Sequence, residues 1–139
     1  MLRLVRNAEV FAPEPLGKRD LLIADRRIAA IAPQLPRLPQ AIPHEEIDLA
    51  GLCLCPGLVD AHVHLIGGGG EAGPSTRVPP VSLTQLSTAG ITTVVGVLGT
   101  DGTTRSVADL VARTLGLRDE GLSAYCYTGS YQLPVPTLT

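Results

Sequence analysis

Tryptophan is absent, phenylalanine occurs once, and aromatic residues make up 3% of the chain. The composition is otherwise ordinary for a globular protein and rich in Ala, Val, Leu and Gly. Cysteine is also sparse. Three cysteines, an odd number, make no disulfide framework and fit a reducing compartment. Charge of neither sign prevails: the net value of −2 removes the electrostatic case for nucleic acid or an anionic membrane. Long apolar runs are missing too. Met1 to Val10 is interrupted by Arg3, Arg6, Asn7 and Glu9, so it lacks the apolar stretch of a secretory signal. No stretch approaches a membrane span. The expectation is a cytoplasmic protein. At 139 residues the chain allows one domain with a modest core. It is about half the length of a (β/α)₈ barrel. Proline is the exception to this scarcity: 12 of them promise many loops.

The rhythm changes near residue 55, which divides the chain into 1–55 and 56–139. The first part reads as a small β-layer. Its expected strands are Leu2–Val5, Val10–Phe11, Lys18–Ala24, Arg27–Ala32 and Glu46–Leu54, with Asp25-Arg26 as a hairpin turn. Pro33 to Pro43 reads as a loop, with His44 just beyond it as a surface loop histidine. Cys53 and Cys55 alternate on a strand. With no second pair to complete a metal site, they read as small buried hydrophobes.

The second part alternates. Gly57–Leu65 reads as a strand and Ile66–Pro80 as a glycine-rich loop. A helix over Ser82–Ala89 opens on the capping box Ser82-x-x-Gln85 and closes at Gly90. Ile91–Leu98 is a β-branched strand. Ser106–Glu120 is a second helix, with Val107, Leu110, Val111 and Leu115 on one face. Leu122–Thr128 is a third strand, with Cys126 in its core. The order β-α-β-α-β implies parallel strands with right-handed crossovers. There is no repeat of solenoid period.

The chemistry begins at Pro56-Gly57-Leu58-Val59-Asp60-Ala61-His62-Val63-His64-Leu65. Residues two apart on a strand share a face, so His62 and His64 converge. Two neutral imidazoles aimed at one point make half a transition-metal site. Leu58, Val59, Val63 and Leu65 suit a buried strand. Asp60 is in phase and reads as a ligand or, preferably, as an acceptor that fixes a histidine tautomer. Parallel α/β folds place their chemistry at the carboxyl ends of strands. There the chain carries Gly67-Gly68-Gly69-Gly70-Glu71, then Gly99-Thr100-Asp101, then Thr128-Gly129-Ser130-Tyr131. Glu71 is either a solvated loop carboxylate or an anchor for a substrate ammonium. Thr100 caps a turn or meets a ligand, and Asp101 reads as a turn residue. Tyr131 either packs or lends its phenol to an oxyanion. The run Gly68-Gly69-Gly70-Glu71-Ala72-Gly73 matches the dinucleotide fingerprint in letters only. Pro74 to Pro80 delays the helix, and Thr92-Thr93 stands where the ribose-binding acid belongs.

These motifs resemble the amidohydrolase superfamily and, within it, the isoaspartyl (β-aspartyl) dipeptidases. The narrower likeness rests on His64 to Pro74, Val94 to Asp101 and Thr128 to Tyr131, and it extends over essentially all 139 residues. It implies the N-terminal part of a small β-sandwich over 1–55, followed over 56–139 by the first βα units of a (β/α)₈ TIM barrel, an incomplete barrel. It implies hydrolysis of the isopeptide bond of β-aspartyl dipeptides at a binuclear zinc centre, in an enzyme expected to be a homo-oligomer when complete. By that resemblance His62 and His64 bind metal. Glu71 takes the substrate α-amino group, Gly69, Gly70 and Thr100 help hold the substrate, and Tyr131 steadies the tetrahedral intermediate. The bridging lysine, two further histidines and the catalytic aspartate of the family have no counterpart here. The only histidines are His44, His62 and His64, and the sole lysine is Lys18. The expectation is therefore the N-terminal portion of such an enzyme, inactive alone. The alternatives are a cyclic amidase like dihydroorotase or hydantoinase, and an inactive fragment or subunit that needs a second chain.

Overall fold

The computed structural model describes residues 1–137 and divides into two units, Met1–Pro56 and Gly57 onward. In the first, β1 (Leu2–Phe11), β2 (Pro15–Ala24), β3 (Arg27–Ala32), β4 (His44–Asp48) and β5 (Cys53–Leu54) form one sheet. Its order is β3-β2-β1-β4, with β5 also on β1. The β1–β2 and β2–β3 pairs are antiparallel, and β4 and β5 run parallel to β1. Val5, Ala8, Val10 and Leu21 are its buried core. The two short strands expected between residues 2 and 11 are one bulged strand. The register slips between Val5 and Ala8, where Asn7 takes φ +59°. Asp20 fills the break, accepting the Asn7 N–H at 3.0 Å, the Leu35 N–H at 2.9 Å and the Arg6 guanidinium at 2.8 Å. Burial pushes the Asp20 carboxyl up, but those donors more than reverse the push and hold it below the usual range.

Three expectations fail in this unit. His44 is not a loop residue: it opens β4 opposite Leu2, and its Nδ1 lies 2.7 Å from the Ile42 carbonyl. Glu46–Leu54 is not one strand, because a turn at residues 50–51 separates β4 from β5. Cys53 and Cys55 are exposed free thiols. β5 is only two residues long and buries neither.

The second unit runs β6 (Leu58–Val63), a 3₁₀ turn (Pro74–Thr76), α1 (Leu83–Thr88), β7 (Ile91–Gly96), α2 (Val107–Asp119) and β8 (Ser123–Cys126). Its sheet is β6-β7-β8, parallel throughout. The molecule is thus mixed α/β, a β-rich N-terminal sheet followed by parallel βαβ units. α1 opens on the expected capping box between Ser82 and Gln85. Leu65, Val94, Leu110 and Leu117 are fully buried at the centre of the core. Cys126 is half-buried against that cluster. The glycine run leads into the 3₁₀ turn and opens no helix, as the prolines foretold.

Two burial expectations are corrected. Leu58 and Val59 are 54% and 66% exposed, because the core cluster meets this segment only from Val63 onward and leaves the start of β6 uncovered. The buried stripe of α2 is Val107, Leu110, Thr114 and Leu117, whereas Leu115 is 50% exposed. At 3.6 residues per turn Leu115 lies roughly 120° from the centre of that stripe. Thr114 takes a core place by donating its hydroxyl to the Leu110 carbonyl at 2.7 Å. Among the described residues no helix is long and apolar enough to cross a membrane.

Candidate metal and substrate site

The strand that leads to the two histidines is not regular. β6 pairs Asp60 with Val94 and Val63 with Gly96, so it carries one residue more than β7 between those pairs. This is a bulge at Ala61–His62, a device that re-aims side chains beside active sites. The bulge interrupts the ladder there, and the Asp60 carboxylate accepts the His62 N–H at 3.0 Å. Asp60 therefore holds backbone, not an imidazole, and the tautomer-fixing role expected of it is not what this contact does. The rings of His62 and His64 stand edge to face with centroids 5.5 Å apart.

Both imidazoles line an open cleft of about 360 Å³ together with Glu71, Thr100 and Tyr131. The loops after all three parallel strands meet at this one end of the sheet, as the topology required. His64 is held from two loops by backbone. A Cβ on Gly99 would lie 2.8 Å from its Nδ1, and one on Gly68 would lie 3.1 Å from its Cγ. Gly99 also sits at φ +83°, where an L side chain is strained. The Nδ1 of His64 is buried without a hydrogen-bond partner.

Glu71 is exposed at the cleft, and the Thr100 hydroxyl donates to its Oε1. That contact, then a backbone N–H, and to a lesser degree Arg105 and His64, hold the Glu71 carboxyl below the usual glutamate range. Asp101 next door is held low by the Thr104 hydroxyl and N–H and closes its own turn, as expected. Tyr131 reaches the cleft but is 79% exposed. Gly69 and Gly70 are not in the cleft wall. They turn the loop at φ +67° and +106°, and a Cβ on Gly69 would meet the Thr76 carbonyl at 2.5 Å. A larger hollow of about 780 Å³ in the first unit is lined by Arg6, Asp20 and Glu46, where Arg6 is paired with both carboxylates.

Among the described residues no group of three His, Cys, Asp or Glu side chains could hold a metal ion. Two imidazoles, one with an orphaned buried nitrogen, suit two positions of a zinc shell that needs at least three protein ligands.

One residue of this site escaped the sequence reading. Arg105 is 6% exposed and donates to the carbonyls of Gly68 at 2.9 Å and Gly69 at 3.1 Å. A signal was there: Arg105 directly precedes the helix cap Ser106, where a cation opposes the helix dipole and needs another reason to stand.

No family model matches the chain. Its whole length superposes on 36% of the beta-aspartyl dipeptidase of the thermophilic keratin-degrading Fervidobacterium islandicum AW-1, solved in complex with beta-Asp-Leu dipeptide, with a TM-score of 0.93 and 43% identity. It is 34% identical over 128 residues to an imidazolonepropionase of Klebsiella pneumoniae, covering 87% of this chain and 30% of that protein. It is 34% identical over 125 residues to a dihydroorotase of Lactiplantibacillus plantarum, covering 81% of this chain and 26% of that protein. The chain therefore spans about a third or less of the length of each.

Proposed function

Because the chain corresponds along its whole length to the N-terminal portion of an amidohydrolase like beta-aspartyl dipeptidase, we propose that it carries half the metal shell and the ammonium pocket of an enzyme that hydrolyses β-aspartyl dipeptides at a binuclear zinc centre. In this reading residues 1–55 belong to a small β-sandwich and 56–139 open a TIM barrel. The observation that carries it is the meeting of Glu71, Thr100 and the two histidines at one cleft.

His62 and His64 would contribute two nitrogen donors. When bound, zinc supplies Lewis acidity and a readily ionised water. The chain's own part is mostly positioning. The low-lying Glu71 carboxylate stays charged and pairs with the α-ammonium of the substrate, and the Thr100 hydroxyl fixes its direction. Tyr131 brings a phenol O–H to the same cleft, placed to donate to the oxygen that becomes negative as the amide is attacked. A cyclic amidase is the second reading, favoured by the match to dihydroorotase. Its substrate has no free ammonium, which leaves Glu71 without a task.

The test is Glu71→Gln in the full-length protein. We expect kcat/KM for β-Asp-Leu to fall about thirtyfold or more, with zinc content intact. His64→Ala should lose zinc first. Zinc loss in Glu71→Gln, or undiminished dipeptide cleavage, rejects the ammonium anchor. Hydrolysis of a cyclic amide in preference to the dipeptide selects the second reading.

A further inference from the structure

We propose that Arg105 is a positioning residue, a latch that locks the loop after β6 to the loop after β7 and so fixes both the Glu71 carboxylate and the backbone that backs His64. The guanidinium is buried, with its Nε left unpartnered, so its two Nη groups carry the pairing that a buried charge needs. Its partners define what it does. Nη2 and Nη1 hold the Gly68 and Gly69 carbonyls, and Nη1 also lies 3.5 Å from the Asp101 carboxylate.

Each partner belongs to the site's framework. Gly68 packs on the His64 ring, and Gly69 stands two residues before Glu71. Asp101 follows Thr100, whose hydroxyl engages Glu71. Asp101 is itself tied to its loop by Thr103 and Thr104. Apart from these contacts, the glycine loop is tied by one bridge between Gly68 and Val78 and by local turn bonds such as Gly67 N–H to the His64 carbonyl and Gly73 N–H to the Gly70 carbonyl, none of which reaches the loop after β7. Left-handed glycines at 67, 69 and 70 give the loop a shape but no stiffness. An arginine whose two nitrogens grip successive carbonyls supplies what the glycines cannot.

The substrate half of this inference rests on the dipeptidase reading; the loop half does not. In the full-length protein, Arg105→Met keeps the bulk of the stem and removes the donors. We expect the amide hydrogens of Gly68 and Val78 to exchange about tenfold faster or more. KM for β-Asp-Leu should rise about tenfold, with kcat changing less than about threefold, because an anchor for bound substrate is loosened. Zinc content should hold, since His62 stays in β6 and Gly99, whose carbonyl the guanidinium does not grip, still backs the His64 ring. Arg105→Lys, which can grip one carbonyl, should fall between. Unchanged exchange in a folded Arg105→Met protein overturns the latch, and faster exchange with wild-type KM overturns its part in substrate binding. If Arg105→Met does not fold, Arg105→Lys decides on the same terms. A wild-type protein inert toward β-Asp-Leu sinks the dipeptidase reading, and exchange alone then judges the latch.

Discussion

Gly99 is dictated by its neighbour as much as by its own turn. Its φ of +83° costs any other residue roughly 1–2 kcal/mol. A methyl there would also stand 2.8 Å from the His64 ring. Gly99→Ala should therefore push the imidazole out of place and weaken zinc binding at least about tenfold more than Gly73→Ala, which also sits at positive φ (+114°) but has open space around it. Metal titration of the two full-length variants checks this, and equal affinities would show that backbone strain alone is at work. Thr100 and Glu71 make a second case. The hydroxyl lowers the carboxyl below its ordinary 4.5, so the contact stabilises the fold above that value and is lost as pH falls through the lowered one. Thr100→Val should raise the Glu71 titration toward 4.5, as followed by carboxyl carbon shifts. An unmoved titration would mean that the hydroxyl does not set it.

Elements answer to packing before they answer to pattern, and α2 shows it. Leu110 is fully buried between the sheet and the helix, so Leu110→Ala should cost about 2–5 kcal/mol in urea unfolding. Leu115→Ala should stay within about 0.5 kcal/mol. The reverse ranking would restore the face read from apolar letters. That reading went astray because Thr114 is polar by name, yet satisfies its hydroxyl inside the helix. The strands and helices of the second unit were legible because β-branched runs, one capping box, a serine N-cap and closing glycines all pointed one way. The bulges were not. Asp60, His62 and His64 look like plain alternation, and an extra residue in a strand leaves no mark in composition. That His62, His64, Glu71, Thr100 and Tyr131 would meet at one cleft was legible from strand ends, whereas their roles came only from the family resemblance. Arg105 was not legible, because its partners are carbonyls, and every residue has one.

At the scale of the molecule the parallel sheet is half dressed. Helices cover one face, and parallel sheets are ordinarily covered on both or closed into a barrel. Here Tyr125 and Tyr127 are 55% and 56% exposed. Among the described residues β6 and β8 each have a free edge, and three strands cannot close a barrel. The donor set is equally partial, since two imidazoles cannot hold zinc as three or four ligands do. Both shortfalls point the same way, so residues 1–139 purified alone should give no measurable turnover of β-Asp-Leu and should lose zinc on gel filtration. The same residues within the full-length protein should retain metal and cleave the dipeptide. Turnover by the sequence-verified 139-residue chain would mean that two histidines suffice, or that a second copy lends the missing ligands. Sedimentation with and without zinc separates those two outcomes, because only the second makes the metal drive self-association.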